Sequence, residues 1–217
     1  MKVGVMGAGA VGCYYGAMLA RAGHEVVLVG RPAFAEQAGA HGLRLQHVDF
    51  DVSLPVAASA DPAALAGADV VLFTVKSTDT AEAGAALATV LPAQAVVLSV
   101  QNGVDNAERL AQVLGRPVVP AAAYVAVEMA GPGHVRHHGR GELVIGDFPG
   151  AAVLAAGFTA AGIPVTVSPD IAVELWGKLL INCAYNALSA LAQQSYGEMT
   201  RVAGVTDVMA AAVDECV

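Results

Sequence analysis

The segment KVGVMGAGAVGCYYGAMLARAGHEVVLV, residues 2–29, limits what this chain can fold into more than any other part of it. Its apolar period changes twice: residues 2–6 are a short apolar run, 11–21 have helical spacing, and 25–29 are again rich in β-branched side chains. That succession is a β-α-β unit. Gly7, Gly9 and Gly12 stand in G-x-G-x-x-G spacing where the first strand hands over to the helix. Each glycine has its own use there: Gly7 for a tight turn, Gly9 for backbone approach to a pyrophosphate, Gly12 for close packing of helix on strand. The helix start adds outward N–H groups and a positive dipole end. A glycine-rich turn without a ligand is the plainer alternative, and the surrounding strand-helix-strand order weighs against it.

The alternation continues. Strands are expected at 43–47, 69–75, 95–100 and 118–127, with helices near 80–90 and 104–114. GHVRHHGRGELVIGD, 133–147, reads as two strands joined by a Gly-Arg-Gly turn, followed by a helix over 151–161 and a strand in IPVTVS. From Pro169 the strand signal stops: 171–194 and 200–217 read as helices, with QQSYGE as the break. The expectation is an α/β chain in which residues 1–168 form a Rossmann-type, doubly wound parallel sheet and 169–217 begin an all-helical part. VDECV lacks the glycine, proline or basic last turn that usually ends a helix, so the helical part is read as incomplete.

Composition excludes several classes. A chain of 217 residues that is 56% hydrophobic and 14% charged is expected to fold throughout, and a net charge of −8 disfavours nucleic acid and anionic membrane as partners. Two long uncharged stretches, 83–104 and 148–169, are cut by proline and glycine and suit buried strands rather than a membrane span. The start has no secretory h-region, which points to the cytoplasm. Cys13, Cys183 and Cys216 are odd in number and widely spaced, so they are read as small packing residues rather than a disulfide framework or zinc site. The histidines of HVRHH find no carboxylate or cysteine to complete a metal set and are read as exposed hairpin residues.

Where NAD-specific sites carry a carboxylate at the end of the second strand, this chain has Gly30 and Arg31. A guanidinium there suits a 2′-phosphate and favours NADP(H); a solvated arginine before a proline turn is the alternative. Lys76 in TVKSTDT and Asn102 in SVQNGVDN follow the fourth and fifth strands, at the carboxyl edge of the sheet where ligands bind. Taken singly, each is as readily a surface lysine or a turn asparagine.

WGKLLINCAYNALSAL sets Lys178, Asn182 and Asn186 four residues apart, about 40° around and about 6 Å along a helix per step. They share one face. Buried asparagines bridging helices and a snorkelling lysine would explain the stripe structurally. A cation and two amides equally form a polar wall for a substrate with carbonyl, carboxylate and hydroxyl groups.

GAGAVGCYYG, Gly30-Arg31, VKSTDT, QNGVDN and WGKLLINCAYNALSAL follow one another as in ketopantoate reductases (2-dehydropantoate 2-reductases), which the chain resembles over essentially its whole length. The resemblance implies NADPH-dependent reduction of 2-dehydropantoate to pantoate, a step toward pantothenate and coenzyme A. It implies cofactor contacts from Gly7, Ala8, Gly9, Ala10, Val11, Gly12, Arg31, Lys76, Asn102 and the backbone of Ala126. It makes Lys178 the proton donor to the ketone, and Asn102, Asn182 and Asn186 substrate contacts. SYGE departs from the family pattern, with Tyr196 in place of a substrate-contacting asparagine, which leaves another 2-keto acid open as substrate. A non-catalytic NADP-binding relative is the alternative from a different class. Uncovered helical surface would favour association, for example as a homodimer.

Overall fold

The computed structural model describes residues 1–216. They fall into two compact units, Met1–Ile171 and Ala172–Val217.

The first unit contains β1 (Lys2–Met6), α1 (Ala10–Arg21), β2 (Glu25–Val29), α2 (Pro32–His41), β3 (Leu43–Gln46), β4 (Asp51–Leu54) and β5 (Ala57–Ser59). It continues with β6 (Val70–Phe73), α3 (Thr80–Ala88), β7 (Val96–Ser99), α4 (Asn106–Leu114), β8 (Val119–Gly131), β9 (His134–Gly146), α5 (Ala151–Ala160) and β10 (Val165–Ser168). The strands form one sheet in the order β4-β3-β9-β8-β7-β6-β1-β2-β5, with β10 beside β9. β5, β2, β1, β6, β7 and β8 run parallel to one another, so β1 leaves toward β2 on one side and the chain returns through β6 on the other. This is the doubly wound α/β arrangement expected from the sequence.

The interiors of β1, β2, β6 and β7 are apolar because both faces are covered. Val5, Leu28, Leu72 and Leu98 point into a core shared with Tyr14, Tyr15 and Leu19 of α1 and Phe158 of α5. Their neighbours Met6, Val29, Phe73 and Val97 point the other way, into a core with Leu87 of α3 and Leu110 of α4.

Two readings of the sequence need correction. The Gly139-Arg140-Gly141 stretch is not a turn: β9 runs through it, and the hairpin turns instead at Pro132-Gly133, where Gly133 has φ +68°. The register with β8 shifts on both sides, from Tyr124 opposite Glu142 to Val125 opposite Arg140, and from Ala126 opposite Gly139 to Val127 opposite His137. Extra residues in one strand make these bulges. The phenol of Tyr14 lies where a Cβ at position 141 would stand, so glycine there serves packing.

The histidines of HVRHH are also not uniformly exposed. His138 is exposed and pairs with Glu128 at 3.2 Å, but His137 is buried. Its ring stacks on Tyr14 at 4.7 Å and on His47 at 4.2 Å, and His47 stacks in turn on Phe50 at 4.4 Å. Burial, then the neighbouring His137, lower the pKa of His47 from 6.5, and Arg21 adds to this against the opposite pull of Asp49. The unfolded chain therefore holds that proton more tightly, and stability falls as pH drops through about 6.5. The melting temperature is expected to fall between pH 7.5 and 5.5, and His47→Phe to reduce the slope; an unchanged slope would remove His47 from the account.

Elements absent from the sequence reading, α2, β4 and β5, are short or marginal. α2 buries only Phe34 and Ala38, and β4 alternates exposed with half-buried residues at the sheet margin.

The second unit contains α6 (Ile171–Ala192), α7 (Tyr196–Met199) and α8 (Val205–Asp214), with α6 starting at the last residue of the first. The expected break at 193–198 holds α7, opened by a capping box in which Ser195 and Glu198 bond reciprocally. The helix expected over 200–217 begins only at Val205, after Gly204 at φ +82°; Val217 lies outside the described residues. The core here is small: Ala184, Met199 and Met209, with Tyr185, Leu188, Val205 and Val213 against them. Trp176, Ile181 and Leu191 of α6 are exposed. Cys13 is buried as expected, whereas Cys183 and Cys216 are exposed. Among the described residues no helix is long and apolar enough to cross a membrane, and no group of three or more His, Cys, Asp or Glu could hold a metal ion.

Candidate active site

β1 ends in a loop held from two sides. The N–H groups of Gly7 and Ala8 both donate to the Val29 carbonyl at 2.9 Å, which fixes the loop to the end of β2. Just past β6, the Thr74 N–H donates to Met6 O at 2.8 Å and its hydroxyl to Gly7 O at 2.6 Å. Gly7 has φ +109°, and a Cβ on it would stand 2.6 Å from the Val75 nitrogen. A Cβ on Gly12 would press on Gly7 O and stand 2.5 Å from Thr74 Oγ1. Gly9 differs: a Cβ there would meet no heavy atom within 4 Å. Gly7 and Gly12 are therefore required by packing, and Gly9 faces open space beside the start of α1.

That start is bare. Gly9 is its N-cap, no side chain caps it, and its first turn carries no acidic residue. The unpaired N–H groups of a first helical turn, with the positive end of the dipole, suit a phosphate. The residues present fit a dinucleotide's pyrophosphate at this place.

The contrast gives a paired test. Gly9→Ala is expected to leave thermal stability within about 1 kcal/mol, since nothing there is displaced, while weakening a nicotinamide dinucleotide about tenfold or more. Gly12→Ala is expected to destabilise by about 1–3 kcal/mol through overpacking. Thermal melts and fluorescence titration with NADPH distinguish them; full affinity in Gly9→Ala would show that the open space is not ligand space.

The other residues expected at the crevice follow the carboxyl ends of adjacent parallel strands. Gly30 lies just past β2, where a Cβ would come within 2.7 Å of the Ala8 Cβ, so its lack of side chain lets the glycine loop pack on it. Arg31, exposed, follows as the N-cap of α2. Lys76 is exposed past β6, and Asn102 is exposed past β7. Parallel pairing of β2, β1, β6 and β7 puts all of these on one edge of the sheet. Ala126 is exposed on β8, six residues beyond Pro120, the last residue of β8 paired to β7.

In the second unit, Lys178 and Asn182 are half-buried and Asn186 is exposed along α6. The Tyr196 hydroxyl donates to Asn186 Oδ1, and the Tyr196 ring lies 4.9 Å from that of Tyr185. Tyr196 thus touches one of the residues it was expected to accompany.

Thr74, Gln101 and Asn106, which the sequence did not single out, brace the loops at this edge of the sheet. Gln101 is 6% exposed; its Nε2 donates to the Val75 carbonyl at 3.0 Å and to Thr80 Oγ1 at 2.9 Å, and its Oε1 accepts from Ser99 Oγ at 3.0 Å. Val75 and Thr80 bracket the Lys76 loop. A polar residue directly after an apolar strand was the available signal; its partners were not.

The family model described as "Ketopantoate reductase PanE/ApbA" matches residues 3–150, and its C-terminal counterpart matches 170–217. A 2-dehydropantoate 2-reductase of Halobacterium salinarum is 35% identical over 224 residues, covering 99% of this chain and 73% of that protein. The crystal structure of a PanE/ApbA family ketopantoate reductase from Ralstonia eutropha JMP134 is 57% identical with a TM-score of 0.94, covering all of this chain and 72% of that one. The fold is also that of D-mandelate dehydrogenase solved with NADH, at 21% identity and TM-score 0.87, over all of this chain and 72% of that one. With two family models matched along its length and its strand-end motifs on one edge of the sheet, the chain belongs to the ketopantoate reductase family.

Proposed function

We propose that the chain is an oxidoreductase acting on a CH–OH group, which reduces the ketone of 2-dehydropantoate to pantoate using NADPH. The observation that carries this reading is the open space over Gly9 at the uncapped start of α1, with Arg31 rather than a carboxylate past β2. When bound, the reduced nicotinamide supplies a hydride to the ketone carbon. The N-terminal turn of α1 holds the pyrophosphate and Arg31 the 2′-phosphate. Lys76 and Asn102 orient the cofactor, and Asn102 also touches substrate. Lys178 gives a proton to the ketone oxygen, its positive charge stabilising negative charge that develops there. Asn182 and Asn186 hold the substrate's carboxylate and hydroxyl through their amides. Pantoate so formed would feed pantothenate synthesis.

One observation favours a second reading. The Tyr196 hydroxyl, at the position where SYGE departs from what the family resemblance implies, donates to Asn186 Oδ1, which leaves that carboxamide's N–H groups for other partners. A 2-keto acid of different shape is then the preferred substrate. NADPH oxidation followed at 340 nm with 2-dehydropantoate and a panel of 2-keto acids at matched concentrations tests both. The fastest rate with 2-dehydropantoate is expected; a different best substrate supports the second reading, and bound NADPH with no oxidation of any of them would overturn both.

A further inference from the structure

Asn106 is 3% exposed and opens α4. Its Nδ2 donates to the Asn102 carbonyl at 2.6 Å and to Ser77 Oγ at 3.0 Å, while Ser77 Oγ donates to the same carbonyl at 3.3 Å. The three groups close a triangle between two loops 25 residues apart. One loop carries Asn102; in the other, Ser77 directly follows Lys76. Gly103 makes the closure feasible: it has φ +113°, and a Cβ on it would stand 2.8 Å from Asn106 Nδ2. Meanwhile Asn106 Oδ1 is buried with no hydrogen-bond partner. A side chain selected for stability alone would avoid an unmet buried acceptor, which carries a desolvation penalty. Both N–H donors of this carboxamide are committed to the two loops, and they account for its presence.

We infer that Asn106 is a positioning residue: by fixing the Asn102 carbonyl against Ser77 it sets the plane of the Asn102–Gly103 peptide, hence the direction of the Asn102 side chain, and holds the Lys76 loop in register with it. Gln101 secures the same Lys76 loop from inside, through Val75 and Thr80. Asn106 acts through Asn102 and touches neither cofactor nor substrate. The inference rests on the proposed role of Asn102.

A double-mutant cycle on the full chain tests it, reading kcat/KM for 2-dehydropantoate at saturating NADPH in Asn102→Ala, Asn106→Ala and the double variant. Asn106→Ala is expected to lower kcat/KM by about 10- to 100-fold, the size of effect that a small misplacement of a site group produces. In the Asn102→Ala background, where no amide remains to be oriented, it is expected to cost less than about twofold. Equal losses in both backgrounds would reduce Asn106 to a buttress of the fold and overturn the inference, as would a silent Asn106→Ala. A silent Asn102→Ala is a different result: it removes Asn102 from the reading of the site, and the inference falls with it. Should Asn106→Ala not fold, Ser77→Ala runs the same cycle, because it deletes one donor to the same carbonyl and leaves α4 intact; additivity there is equally decisive.

Discussion

Lys178→Ala is expected to lower kcat for keto acid reduction by about 10²- to 10⁴-fold, the range by which a positioned proton donor contributes, while the NADPH dissociation constant changes less than about threefold. The asymmetry follows from where the groups lie. The proposed pyrophosphate cradle and Arg31 belong to the first unit, whereas Lys178 stands on α6 of the second, four residues before Asn182 and eight before Asn186 on one helix face. Its proposed work begins only when the ketone oxygen gains negative charge, so its removal shows in turnover and not in cofactor capture. Lys178→Arg sharpens the test. A guanidinium keeps the charge but holds its protons too tightly to give one up, so KM is expected to stay near that of the parent while kcat remains depressed. Turnover that survives Lys178→Ala, measured at saturating NADPH, would end the assignment.

The parallel sheet was legible because burial on both faces leaves the interiors of its central strands no polar positions. Val26, Val27, Leu28 and Val29 alternate between two cores, and the apolar run follows directly. Once the strand order is doubly wound, strand ends fall on one edge, which is why Gly7, Arg31, Lys76 and Asn102 could be named from their places after apolar runs. The bulge at Gly139–Gly141 could not be, because glycine flanking an arginine signals a turn locally and only the phenol of Tyr14, over a hundred residues earlier, shows what the glycine is for. The burial of His137 has the same cause: its stacking partners come from α1 and from the segment after β3. Thr74, Gln101 and Asn106 escaped notice because each works through a main-chain carbonyl, of another loop for Thr74 and Gln101 and of Asn102 for Asn106, and a carbonyl leaves no trace in sequence. The stripe on α6 was visible from spacing alone, but the bond from Tyr196 to Asn186 required the fold.

Arg31→Ala is expected to weaken NADPH by about 10- to 100-fold and NADH by less than about threefold. The first figure is the value of a charge-assisted hydrogen bond to phosphate, about 1.5–3 kcal/mol, expressed as affinity. Loss of fold would not intrude on the measurement. Arg31 is exposed, and it caps α2 with its backbone alone: its carbonyl accepts from the Phe34 and Ala35 N–H groups, and no side-chain bond to the helix start is made. Pro32 at the first helical turn holds the same geometry whatever side chain precedes it. Position 30 explains why the preference cannot simply be inverted there. An acidic residue replacing Gly30, which would hold a ribose 2′-hydroxyl, would drive its Cβ to 2.7 Å from Ala8 and 2.9 Å from the Phe34 ring. Gly30→Asp is therefore expected to disturb the loop carrying Gly7 and Gly9 and weaken both cofactors, whereas Arg31→Ala separates them. Fluorescence titration of each variant with NADPH and NADH decides the matter; equal losses of the two in Arg31→Ala would remove the 2′-phosphate from the role of Arg31.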